Sequence, residues 1–186
     1  STISGALINS GTIAGANAGI LIDSQSKIAQ GITNSGLILG YGSAALAVIS
    51  TANVIGGIHN LGGVIEGANT GILIQSGNGI AGSLAGSIVN TGLISGTGEV
   101  GLLVASSRVE GSIINTASGS HVGTISGSRT GRRLYDAQMT GVIQNTGTIT
   151  GSESGLRLTG GTFTGGLLTN TGMIVSDNAG VLTHYS

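Results

Sequence analysis

The chain has 186 residues, 37 of them glycine, with no proline and aromatics at only 2%. Charged residues make up 7% and the net charge is -1, against a usual charged share of about 25%, so there is no electrostatic footprint for nucleic acid or an anionic membrane. Cysteine is absent, which excludes disulfides, thiolate catalysis and zinc-thiolate centres together.

High glycine can accompany disorder. Here 39% of residues are hydrophobic and the mean hydropathy is +0.42, enough apolar content to bury a core. No run of about 18 apolar residues occurs, so no transmembrane helix is expected and this segment is not expected to insert into a membrane. The opening Ser1-Thr2-Ile3-Ser4-Gly5 lacks the basic and apolar regions of a signal peptide. The chain opens inside one repeat and closes inside another, and residues 1–186 read as one elongated domain cut from a longer protein.

The first repeat carries Ile3, then Leu7-Ile8-Asn9-Ser10-Gly11-Thr12-Ile13-Ala14-Gly15, then Gly19-Ile20-Leu21-Ile22. Its asparagine returns as Asn34, Asn60, Asn90, Asn115, Asn145 and Asn170, at intervals of 25, 26, 30, 25, 30 and 25 residues. A fixed period of this size marks a solenoid. Two residues before each asparagine stands Leu or Ile. Six before it stand Ile3, Ile28, Val54, Leu84, Val109 and Met139, with Phe163 slipped by one. Short apolar runs alternating with period two are strands, and the Gly, Asn and Ser that bound them are turns. The expected fold is therefore all-β: a right-handed, single-stranded parallel β-helix of about seven coils of 25–30 residues, with three short strands per coil. Proline would delete a ladder N–H in every coil, which fits its absence. Stacked asparagines at one position can donate amide to amide along the axis, so the asparagine column reads as structural.

Two intervals are long. The third repeat gains residues around Gln75-Ser76-Gly77-Asn78-Gly79-Ile80-Ala81-Gly82, and the fifth gains Ala117-Ser118-Gly119-Ser120-His121-Val122. Insertions in repeat proteins form protruding loops, often on a binding face. The fifth repeat also holds Arg129, Arg132 and Arg133, three of the six basic residues, beside Tyr135 and Asp136. Arg132 falls where the alternation expects an inward apolar side chain, so this strand is expected to bulge. His121, Arg129, Arg132, Arg133 and Tyr135 form the candidate ligand-binding patch, suited to an anionic glycan because arginine offers a planar fork to oxyanions. The competing reading is that these arginines pair with Asp136 and Glu153.

The outward position of the Gly-apolar-x-apolar strand reads Leu21, Ala47, Leu73, Leu103, then Arg133, Arg157 and Leu182. Leu21, Ala47, Leu73 and Leu103 form a candidate self-association stripe, since contiguous exposed apolar surface marks interfaces. The seven acids, Asp23, Glu66, Glu99, Glu110, Asp136, Glu153 and Asp177, fall mostly one per coil. Glu99 and Glu153 share a corner two coils apart, roughly 10 Å by the stacking repeat, wide of the separation glycosidases use. His59, His121 and His184 share no spacing and no acid partner, and calcium-type nonapeptides are missing. No metal or cofactor is expected. A threonine face of the ice-binding kind is interrupted by Leu37, Leu39, Leu93, Met173 and Val175.

Ile143-Gln144-Asn145-Thr146-Gly147-Thr148-Ile149-Thr150-Gly151 followed by Gly155-Leu156-Arg157-Leu158 resembles the passenger repeats of Gram-negative autotransporter adhesins, and the resemblance covers nearly the whole chain. It implies a non-enzymatic passenger exposed at the bacterial surface or secreted. Partners would be a host-cell surface, a glycan or other copies of the chain, with autoaggregation and biofilm growth as outcomes. It also implies a signal peptide upstream and a translocator barrel downstream, and that a glycosyltransferase could modify surface Ser and Thr. The alternative is a carbohydrate-active β-helix, either a polysaccharide lyase or a tailspike-like hydrolase.

Overall fold

The computed structural model describes residues 1–76, 83–166 and 168–184. Among these residues there is no helix. The strands assemble into four parallel sheets of seven strands each, with one small antiparallel pair between Ala117–Ser118 and His121–Val122. One coil is Thr2–Ile3, Leu7–Asn9, Thr12–Gly15 and Ile20–Ile22, and every later coil lays its own four strands on those of the coil before. The result is a β-solenoid of seven rungs.

Each coil has four strands where the apolar alternation suggested three. The position six before the asparagine stands in a two-residue strand of its own, as in Lys27–Ile28 and Asn53–Val54. The chain turns before the asparagine strand begins, and among the described residues it turns there through glycine in the left-handed region at Gly31 (φ 84°), Gly57 (φ 88°) and Gly166 (φ 95°). A side chain at Gly57 would also stand 2.4 Å from the Ser87 carbonyl oxygen of the next coil. Glycine meets both demands, one conformational and one steric. The corner after the longest strand is built differently. Ser24, Ser50, Ser106 and Asp136 hold φ between 46° and 60° there, a region that small polar residues tolerate.

Register follows the repeat throughout. Asn9 faces Asn34, Asn34 faces Asn60, and so on to Asn170. Ile32, Ile58, Ile88, Ile113 and Ile143 stack inside with no more than 1% exposure, beside Ile38, Ile65, Ile94, Ile125 and Ile149. The slipped Phe163 pairs with Met139 in the same inward column. Because like apolar side chains cap one another along the axis, the core is continuous from rung to rung, and burial of this apolar surface drives folding.

The asparagines make the ladder the repeat implied. Each Nδ2 donates to the Oδ1 of the next rung, from Asn9 to Asn34 at 2.8 Å through Asn145 to Asn170 at 2.7 Å. Each amide also reaches backbone carbonyls at the bend: Asn90 Nδ2 donates to Gly92 O at 3.0 Å and to Thr124 O at 3.1 Å. All the steps have one polarity, donor toward the C-terminal rung. The amide thus supplies the bend's carbonyls with a hydrogen-bond partner from the side-chain column itself.

The fifth-coil insertion leaves this ladder intact. Asn115 Nδ2 donates to Gly123 O at 2.9 Å, the Gly123 N–H donates to Thr116 O at 2.9 Å, and Thr124 pairs with Leu93 in register. Residues 117–122 leave and re-enter at that pinch as an exposed two-residue hairpin. Of the third-coil insertion, Gly77 to Gly82 lie outside the described residues.

Candidate functional site

The fifth coil does not bulge. Thr130–Tyr135 pairs in full register with Val100–Ala105 below and Ser154–Thr159 above, so Arg132 faces Leu102 and Leu156. Its side chain points into the core at 0% exposure. Nε, Nη1 and Nη2 are all buried without a hydrogen-bond partner. Burial alone pushes this guanidinium down to about 9, because an apolar interior disfavours the charged form. Ladder bonds on both sides hold the strand, and a bulge would break them. The arginine is therefore carried inward by the register and cannot serve as the surface contact its type suggested.

The other members of the expected patch separate into two places. His121 sits at the tip of the inserted hairpin, which folds against the corner of the third coil; a Cβ built on Gly62 would lie 3.3 Å from the His121 Cδ2. That corner follows the asparagine strand. Arg129, Arg133 and Tyr135 lie elsewhere, on the longest strand and the corner before it. The structure thus keeps His121 apart from the arginine depression.

That depression is lined by Glu99, Val100, Arg129, Thr130, Arg133, Glu153 and Arg157. Glu99, Arg129 and Glu153 form one corner column on successive coils, tied by backbone bonds from Arg129 N–H to Glu99 O at 3.0 Å and from Glu153 N–H to Arg129 O at 2.8 Å. Arg129 Nε donates to Glu153 Oε1 at 2.8 Å. Its guanidinium is raised by that hydrogen bond first, then by the charge of Glu153, with a smaller contribution from Glu99. The two acids that share a corner therefore have an arginine between them. Part of the competing reading holds, since Arg129 does pair with Glu153. Asp136 takes no part in either ion pair found among the described residues; the second is Arg108 with Glu110 at 3.3 Å.

Arg133 and Arg157 are left over. They are register partners on adjacent coils, both half-buried, and the Nε of each is buried without a hydrogen-bond partner. Arg133 has one aromatic neighbour, its Cζ lying 5.5 Å from the centre of the Tyr135 ring, within cation–π range. Arg157 was legible as part of the outward column, but its place in this depression depends on the stacking of the fifth and sixth coils.

The leucine stripe is narrower than the alternation implied. Leu21 is 53% exposed, but Ala47 is buried at 5%, and Leu73 and Leu103 are half-buried. Among the described residues, no group of three or more His, Cys, Asp or Glu side chains is placed to hold a metal ion, and no helix is long and apolar enough to cross a membrane. No family model, curated protein or solved structure matches this chain.

Proposed function

We propose that this solenoid is a passenger segment of a bacterial surface adhesin, acting without catalysis by presenting its flank to a host surface, a glycan or other copies of itself. The observation that carries this reading is the unbroken stacking of seven rungs on one asparagine ladder, six of them with the full Asn-Gly-Ile-Gly pattern and the seventh ending in Ser176. Such a rod extends away from its anchor and repeats side-chain columns along its length, a geometry that favours many weak contacts acting together. The Ser- and Thr-rich corners would accept glycosylation in the same setting, either exposed at the outer membrane or in secreted form.

The second reading is a carbohydrate-active β-helix working through Glu99 and Glu153. Against it stands Arg129, which lies between those acids and occupies Glu153 Oε1 at 2.8 Å. Self-association through the stripe at Leu21, Leu73 and Leu103 stays within the proposal, with Ala47 contributing shape rather than exposed area.

Display of the chain on a non-adherent bacterium tests the proposal. Attachment to epithelial cells, abiotic surfaces or sister cells should rise over the undecorated parent. Equal attachment by both strains would sink the adhesin reading.

A further inference from the structure

We infer that Arg133 and Arg157 form an oxyanion clamp on the flank of the solenoid, specific for the acidic group of a polysaccharide. This inference rests on the adhesin reading and names the ligand class of its contact surface. Two like charges in register on neighbouring parallel strands stand about 4.8 Å apart at the backbone. In that position they repel unless something negative lies across them. Among the described residues neither Arg133 nor Arg157 has an ion pair: Glu153 is taken by Arg129 at 2.8 Å, and Glu99, on the rim of the same depression, bridges neither arginine.

The Nε atoms of Arg133 and Arg157 are sealed from solvent and unpartnered, so desolvation has already been incurred on one edge of each guanidinium. A carboxylate or sulfate ester set between the two forks would accept from both. The lining suits such a singly charged group rather than a doubly charged phosphate monoester. The Glu99–Arg129–Glu153 column borders the depression on one side, and its two carboxylates repel a second negative charge on the group held there. Tyr135, 38% exposed beside Arg133, offers an aromatic face to the apolar side of a sugar ring. An oxyanion next to a ring that needs stacking describes a uronic acid or a sulfated sugar.

The test measures binding of the purified chain to polygalacturonate, dextran sulfate, uncharged dextran and polyglutamate. Retention of polygalacturonate, dextran sulfate or both, with uncharged dextran unbound, is the expected result, and the arm that binds identifies carboxylate or sulfate as the group held. Arg133→Gln and Arg157→Gln should each weaken that binding by about tenfold or more, the cost of a charged hydrogen bond. Lysine at either position should recover only part, because it keeps the charge and loses the fork. Arg108→Gln, outside the depression, should bind as the unmutated chain does. Circular dichroism of each variant establishes that the rungs are intact. The clamp is refuted if no acidic polymer binds, if polyglutamate alone binds, or if Arg108→Gln loses as much as Arg133→Gln. It is equally refuted if the Arg133/Arg157→Gln double variant binds normally. If displayed cells carrying that double variant still attach fully while the unmutated chain binds no acidic polymer, the clamp falls and the adhesin reading stands.

Discussion

Arg132→Leu should make this protein more stable, against the usual direction of a substitution in a packed core. The guanidinium lies at 0% exposure between Leu102 and Leu156, with all three nitrogens unpartnered. Burial pulls it down to about 9. At about 1.4 kcal/mol for each power of ten in the proton equilibrium, the charged form carries a penalty on the order of 4–5 kcal/mol. Leucine continues a column already made of leucine and isoleucine, but it is shorter than arginine and returns part of the gain as lost packing. The net expectation is about 2–4 kcal/mol of stabilisation, in line with other replacements of buried charge by apolar side chains. The sign with pH follows from the direction of the shift. A base held below its ordinary value leaves the unfolded state binding more protons above pH 9, so stability of the unmutated chain rises with pH from there. Urea and thermal unfolding, run at neutral pH and again near pH ~10.5, give both quantities. The leucine variant should unfold at higher urea and temperature at neutral pH, and the gap should narrow in alkali. A variant less stable than the parent at neutral pH, or a gap that does not change with pH, would refute the claim that this arginine is buried without a partner.

Interrupting the asparagine ladder should be costly in its middle and mild at its end. Asn90→Ala strands the Asn115 acceptor, while the Asn60 amide keeps Gly63 O and Leu93 O, and should cost about 1–3 kcal/mol for the orphaned group. Among the described residues the Asn170 amide donates to Gly172 O alone, at 3.2 Å, and Asn145, which donates to Asn170, keeps Gly147 O and Met173 O, so Asn170→Ala should lower the urea midpoint far less. Gly101→Ala places a Cβ 2.6 Å from Gly131 O and 2.7 Å from Ser126 O; backbone oxygens cannot step aside, and a loss of about 1–3 kcal/mol from overpacking is expected. If copies associate side by side, sedimentation of the unmutated chain will depend on concentration, and Leu73→Lys with Leu103→Lys will abolish that dependence. A dependence that survives both substitutions places the contact elsewhere.

The fold was legible because the repeat states the register: once Asn9 is laid on Asn34, the inward places of Ile32, Ile38 and Leu46 follow without further information. The strand count was not, since Lys27–Ile28 and its counterparts are too short to show alternation, and the turn that isolates them is visible only as φ at Gly31 and Gly57. Arg132 shows a different limit. Residue type argued for the surface and phase argued for the core, and phase prevailed because neighbouring strands on both sides fix the backbone. His121 and the arginines are close in the chain yet face different corners, since a hairpin that leaves and re-enters at one pinch can fold in a direction its residues do not encode.

As an adhesin passenger this solenoid would work by contact and not by turnover. The size distribution of acidic and neutral polysaccharides after prolonged incubation with the chain separates the two modes. Acidic polymers should be retained by the protein and recovered at their original length. Shortened chains, with shortening lost in Glu99→Gln or Glu153→Gln, would contradict the contact mode.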